Sequence, residues 1–399
     1  MKKINFIDLA VYLIIIFLIL SFLILAGCSN EKKTFEQWEK IEAERIAAIE
    51  EDVQYKGKVL EIISDTEEEI EGGFITRTQI LKVKITNGPF KGEIIEVKNS
   101  SDARSAYVIT IKEGQGIFLK PEFDENGNIS GAYATELVRD NYLIIITVLF
   151  IIVLVLVGRF KGVKAALALA LTITAVFFIL IPLILKGINP VLISVLIGVA
   201  VTIVTLLIIG GINKKSFASI IGTSLGILIA GTLAFVFGSL ASLTGFSSEE
   251  AIMLMYIPQG TDFNFKGLLF AGIIMASLGA VMDIGMSVSS SMLEVAKADP
   301  TIKKKDLISA GMNIGRDMIG TMSNTLILVY VGSSLPLILL FMAYNIPFID
   351  IINKDMIATE IIQAISGSIG LILTIPITVF ISAAFYSTSY IRSVRHIRK

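Results

Sequence analysis

The 399-residue chain holds one Cys, one His and one Trp, and charged residues make up only 17% of it. Each scarcity excludes something. A lone Cys28 forms no intrachain disulfide, and one Cys with one His cannot supply a Cys/His zinc site. His396 lies in a basic tail outside every apolar segment, which argues against a buried Ser-His or Cys-His couple. No HExxH pair and no phosphate-binding GxxxxGK[ST] loop occurs. The formal net charge of −1 lacks the basic excess of a nucleic-acid binder. No cofactor, no metal and no enzymatic activity are expected. What the chain has in abundance is apolar residues, 54% by type, with a mean hydropathy of +0.77. Soluble domains carry about 25% charged residues, so the composition already describes a membrane protein whose main partner is the lipid bilayer.

Residues 9–26 form an apolar run of 18 with Ser21 as its one clearly polar member, preceded by Lys2 and Lys3. The run is long enough to span a bilayer. It ends in Leu25-Ala26-Gly27-Cys28, which resembles a bacterial lipobox. Two readings stand level. Residues 1–28 are an uncleaved signal-anchor helix, or a lipoprotein signal cut before Cys28, whose thiol then carries lipid. Both tether the next residues of the chain outside the cytoplasm. Residues 29–52 read as a charged helical spacer.

Residues 53–138 change character. Segments 53–63, 76–86, 93–98, 116–121 and 129–138 read as strands separated by turn signals, with the clearest alternation over Ile80-Leu81-Lys82-Val83-Lys84-Ile85 before Asn87-Gly88-Pro89. Five short strands in this length suit a small OB-like β-barrel.

From 139 to 390 the chain reads as a helical membrane domain with seven spans: 142–157, 165–185, 191–212, 217–243, 267–290, 318–344 and 361–386. A basic tail, 391–399, comes last. With the N-terminus inside, the cytoplasmic segments hold sixteen Lys and Arg, and the short external loops hold only Lys186, Lys266 and Lys354. The positive-inside rule therefore puts residues 29–140 outside and both termini inside if the first helix is retained. The near-zero net charge is a cancellation. Residues 29–140 hold 23 acids against 15 bases, and the remainder holds 19 bases against 12 acids.

Small residues recur at every fourth position in several spans. The row Gly222-Gly226-Ala230-Ala234-Gly238 is nearly apolar and reads as close helix packing. Two other rows, Gly279-Asp283-Ser287-Ser291 and Ser366-Gly370-Thr374-Thr378-Ser382, are polar enough to line a route for a solute or ion. Asp283 is the acid deepest in a span, roughly 10 Å from its cytoplasmic end at 1.5 Å per residue. A charged Asp near the bilayer centre costs at least ~2.5 kcal/mol on insertion scales, so it needs a partner, water or a proton. Arg316 is one candidate partner. Asp317, Thr321 and Asn324 share one helical face and supply another. A latch between the sixth and seventh spans is the plainer reading of the same residues. Asp299-Pro300 reads as the cap of an interfacial helix over 301–314, and Ser247 with Glu250 as a capping box.

The stretches Gly279–Ser291 and Gly311-Met312-Asn313-Ile314-Gly315-Arg316-Asp317, with Gly320-Thr321-Met322-Ser323-Asn324-Thr325-Leu326, Gly332-Ser333-Ser334-Leu335-Pro336 and Gly367–Thr374, resemble the YibE/F-like family of bacterial multi-spanning membrane proteins. The resemblance covers roughly residues 50–390. It implies the bacterial cell membrane and this layout, and no particular activity. The LAGC motif departs from it. Three functions are then in play. The first is a secondary transporter using Asp283, Ser287, Arg316, Asp317, Thr321, Asn324 and Thr374, with Pro182, Pro336 and Pro376 breaking its long spans. The second is a scaffold, sensor or assembly factor whose barrel engages a membrane or extracytoplasmic protein. The third, an intramembrane enzyme, has least support because an aspartyl mechanism wants two deep acids.

Overall fold

The computed structural model describes residues 53–70, 74–100, 110–124, 129–256 and 263–397. The expected N-terminal helix, Cys28, the 29–52 spacer and Pro258-Gln259-Gly260 lie outside these residues. The chain divides into two units at Val148/Leu149.

In the first unit, β1 (Tyr55–Ile70), β2 (Phe74–Ile85), β3 (Ile94–Ser100), β4 (Gly116–Phe123) and β5 (Ile129–Leu137) close into a barrel in the order β1-β2-β3-β5-β4. All neighbours are antiparallel except β3 and β5, which meet in parallel at Lys98 and Tyr133. The alternation legible in β2 is the burial pattern. Gln79, Leu81, Val83 and Ile85 point inward, and Ile80, Lys82 and Lys84 outward. Leu81, Val83, Val97, Ile117 and Leu119 fill the interior, and Phe90 closes one end against Tyr55 and Phe123. β1 outruns its expected end at residue 63 by seven residues, because bulges near Leu60 and Ile63 keep it in register with β2 as the hairpin extends.

The barrel is stitched by one buried polar side chain. Gln79 is 0% exposed. Its Nε2 donates to the Ile111 carbonyl at 3.1 Å and to Asp65 at 2.9 Å. Its Oε1 accepts from the Ile111 amide at 3.0 Å and from Asn99 at 2.9 Å. Asp65 also receives a two-pronged hydrogen bond from Arg77 at 2.8 and 2.7 Å, which holds the Asp65 carboxyl below its ordinary pKa of 3.8.

α1 (Asp140–Ala175), which belongs to the second unit from Leu149 onward, leads through one π turn, Val176–Leu180, into α2 (Ile181–Leu185). The π turn precedes Pro182, whose missing N–H breaks the regular ladder. Then come α3 (Pro190–Gly210), α4 (Lys214–Leu240), the short α5 (Glu249–Met253), α6 (Phe265–Ala298), α7 (Lys304–Ser333), α8 (Leu335–Ala343), α9 (Phe348–Ile352) and α10 (Asp355–Ile397). Among the described residues five helical stretches are long and apolar enough to cross a membrane, and the α7–α8 pair, bent by 56°, is a broken span or a re-entrant loop. α1 itself breaks at Arg159, where φ is +49° and ψ −132°. A Cβ on Gly162 would overlap the backbone carbonyl of Leu154, eight residues earlier. A straight helix would hold these residues about 12 Å apart, so the chain doubles back at Arg159.

Glycines and hydroxyls make the central seam. Gly222 receives Thr378, and Gly226 receives Thr374 and the Gly370 carbonyl. These pairings run α4 antiparallel to α10. Gly231 takes Ile274, Gly238 takes Phe270, and Gly285 takes Thr223, which runs α4 antiparallel to α6. Ile274, Val281, Ile284, Val288, Ile375 and Val379 fill the space between. At the end bearing Lys215, Ser289 Oγ donates to the Lys215 carbonyl at 3.0 Å, Ser382 donates to Ser289 Oγ at 3.1 Å, and Tyr386 OH donates to the Ser289 carbonyl at 3.2 Å.

Several local expectations are corrected. α7 is one helix from Lys304, with no separate element over 301–314. Asp299 caps no helix start, because it turns back to accept from Thr301 at 2.9 Å. The cap of α5 is Ser248, which accepts from the Ala251 amide at 3.2 Å, rather than Ser247. Pro376 lies inside continuous α10 and does not break it.

Gly226→Val drives methyls into the Thr374 seam and should destabilise the bundle by ~1–3 kcal/mol, whereas Gly272→Ala, with no atom within 4 Å of its new Cβ, should leave the melting temperature unchanged or raised; thermal melts in detergent check this. Gln79→Leu strands the Ile111 amide and carbonyl at roughly 2–3 kcal/mol, read as faster hydrogen exchange of the barrel strands. The Asp65–Arg77 pair adds stability above pH 4 that is lost as pH falls through the lowered Asp65 value, so Asp65→Asn should flatten the acid end of the barrel's stability profile.

Candidate functional site

α6 is held on most of its circumference and open on the rest. Met286 leans on Gly210 at the end of α3, and Ala280 packs against the cluster of Leu326 and Tyr330 on α7. Between these flanks Gly272, Ala276, Gly279 and Asp283 form a continuous exposed stripe. A Cβ added at Gly272 or Gly279 would meet nothing within 4 Å. The period explains the stripe, since residues four and three apart return to one face of a helix. Asp283 lies six residues from Ser289, about 9 Å toward the middle of the bundle at 1.5 Å per residue.

α7 presents a second open face. Asn313, Arg316, Asp317, Gly320, Thr321 and Asn324 are all exposed. Gly311 packs on Met292, and Leu326 and Tyr330 lie beside Ala280. These two contacts bracket Asp283 against the middle of α7, at the depth of Thr321 and Asn324. The bundle therefore turns two acids, a base, two amides and a hydroxyl outward along these two helices.

Arg316 does not latch Asp283. Its Nη1 donates to Asn313 Oδ1 on its own helix at 3.1 Å, and among the described residues Asp283 has no hydrogen bond or ion pair. Thr321 Oγ1 donates to the Met318 carbonyl at 3.1 Å, and its own carbonyl accepts from Thr325 at 2.8 Å. Ser287 is half-buried beside the open stripe. Thr374 does not belong to this group. It is fully buried in the α4 seam, donating to Gly370 at 2.8 Å. The row Ser366-Gly370-Thr374-Thr378-Ser382 is buried packing surface, with Gly370, Thr374 and Thr378 against α4 and Ser382 on Ser289 of α6.

One acid escaped the sequence reading. Glu360 sits six residues into α10, and a hydropathy window that opens at 361 excludes it. Its Oε2 is buried without a hydrogen-bond partner. The Ser289–Ser382–Tyr386 network was equally illegible, because three hydroxyls on two helices carry no spacing signature.

A bundle of several long apolar helices after a five-stranded barrel defines a multi-pass membrane protein with an appended β-domain. Residues 146–388 match the family described as YibE/F-like protein, and residues 51–136 match the YibE/F family N-terminal domain. The chain belongs to the YibE/F-like family. Neither the curated proteins nor the solved structures yield a match.

If the open faces are wet, single cysteines at Gly279, Asp283, Thr321 and Asn324, in a Cys28→Ser background, should react with a water-soluble methanethiosulfonate in native membranes. Leu278 and Val281, both buried, should not. Equal labelling at both sets would remove the distinction.

Proposed function

We propose that this protein is a secondary permease whose polar route runs along the open faces of α6 and α7. The carrying observation is the exposed Asp283 of α6, which among the described residues has no hydrogen bond or ion pair, together with the exposed Arg316, Asp317, Thr321 and Asn324 of α7. Lipid does not accept such a face, whereas a water-filled path or a second subunit does. The α7–α8 bend at Pro336 adds a discontinuous helix of the kind that marks transporter sites. Counting the two arms of α1 separately and α7–α8 as one, the domain crosses the membrane seven times. Lys215 lies within electrostatic reach of Lys161 and Lys297, which supports one basic end facing the cytoplasm. The strand order β1-β2-β3-β5-β4 supports an OB-like reading of the external barrel.

In proteoliposomes under a proton gradient, the wild type should show gradient-dependent flux of at least one solute in a broad metabolite panel, and Asp283→Asn should lower it at least tenfold. No flux with any solute contradicts the proposal. A cysteine replacing Lys354 should react with an impermeant maleimide on intact cells, and one replacing Lys304 only after permeabilisation. The opposite pattern inverts the orientation.

A second reading has its own observation. Ile80 and Tyr133 are exposed on the barrel, and Lys98 pairs with both of them across β2, β3 and β5. Apolar side chains around a base suit a partner protein or peptide, and a barrel that acts as scaffold or sensor would use this face. Under that reading Ile80→Glu with Tyr133→Glu abolishes the cellular role and Asp283→Asn does not.

A further inference from the structure

Charge on the outer face of the barrel is balanced in one row and unbalanced in the next. Across β1, β2 and β3, Lys82 stands between Glu61 and Glu96, with an acid on each side of one base. The neighbouring row reads Gly116 of β4, Lys58 of β1, Lys84 of β2 and Ile94 of β3, with no acid in it. Lys58 and Lys84 are directly opposite each other, and both are exposed. Their Cβ atoms are therefore about 5 Å apart, and like charges so placed repel. Among the described residues neither lysine has a hydrogen bond or an ion pair.

Lys58 also lines a cleft of about 470 Å³, together with Lys56, the 114–116 turn, and Asp140 and Asn141 at the start of α1. The other charges near it are compensated. The Lys56 ammonium bonds the Asp140 carboxylate. Glu113 accepts from the Ile62 amide at 3.3 Å, and Arg139 donates to Glu136 at 2.8 Å. Lys58 is left as the uncompensated charge of the lining, with Lys84 beside it across the strand pair. Two facing ammonium groups repel a metal cation and suit an anion.

The place of the cleft in the chain says which anion reaches it. Asn141 lines the cleft, and Tyr142, the next residue, opens the exposed apolar stretch of α1 that is able to cross a membrane. A cleft that ends one residue before a span lies at the headgroup layer of the bilayer. That layer presents phosphates, which lysine binds as a point charge, and anionic lipids attract bases held at the surface. An acidic peptide has no such enforced proximity.

We propose that this cleft binds the phosphate of an anionic membrane lipid, with Lys58 and Lys84 sharing its charge. The site requires only that α1 cross the membrane. It shares no residue with the Asp283 face and does not depend on the permease reading.

The test is amine footprinting of the full chain with acetic anhydride, in phosphatidylcholine nanodiscs with and without phosphatidylglycerol. Phosphatidylglycerol should slow acetylation of Lys58 and Lys84 about fivefold or more, the change expected for one base meeting an anionic surface. Lys98 is the reference, because it is exposed and pairs with Ile80, about 13 Å along β2 from Lys84; its rate should change less than twofold. Lys58→Gln should return Lys84 to its phosphatidylcholine rate, and Lys58→Arg should keep it protected. Both substitutions are at an exposed position, and melting temperatures establish that each variant folds. Inorganic phosphate added to phosphatidylcholine nanodiscs should leave all rates unchanged. Protection of Lys98 as strong as that of Lys58 would mark a general surface field and overturn the proposal. So would an unchanged rate at Lys58, or Lys84 still protected in Lys58→Gln. Protection by inorganic phosphate equal to that by phosphatidylglycerol would mark a site for a soluble anion and overturn the lipid assignment.

Discussion

The seam between α4 and α10 is the contact on which the rest of the membrane domain depends. In lipid there is no hydrophobic drive to press one apolar helix on another, so association depends on close packing and hydrogen bonds. Gly222 and Gly226 supply the close approach, and Thr378 and Thr374 fill it. α6 then docks on α4 through Gly285, Ile274 and Phe270, and meets α10 where Ser277 faces Gly367. The Ser289, Ser382 and Tyr386 hydroxyls tie the end near Lys215. Once α6 is fixed on these sides, its remaining side is fixed too. The same periodicity that buries Val281, Ile284 and Val288 turns Gly272, Ala276, Gly279 and Asp283 outward.

Much of this was legible in the sequence, and the reasons differ by element. The barrel strands were legible because a half-buried strand writes its period directly, as β2 does from Gln79 to Ile85. The hydropathy runs located the long helices, and the charged break around Arg159 located the reversal in α1. Boundaries at helix starts failed where local rules competed. Asp299-Pro300 has the composition of a cap, but its carboxylate closes a turn on Thr301, and α7 begins at Lys304.

The candidate site was half legible. Asp283 and the polar residues of α7 stand out by type, because such groups are costly in a membrane helix. Their orientation does not, since a polar row on a helix reads the same whether it packs on a neighbour or faces away. Thr374 and Asp283 were grouped on that ground, and packing separates them: Thr374 is buried under Gly226, and Asp283 is exposed. Glu360 was missed for the complementary reason. It lies at the edge of an apolar run, where a hydropathy window treats an acid as the end of the span.

The open face of α6 and α7 asks for water or protein where a lone bundle would meet lipid, and that is the claim on which the permease reading stands. Spin labels at Gly279 and Asn324 in liposomes measure it directly, through their collision rates with a nickel chelate, which tracks water, and with oxygen, which tracks lipid. The proposed route predicts nickel-rich, oxygen-poor environments at both positions. Oxygen-rich, nickel-poor environments at both would place the face in lipid and contradict it.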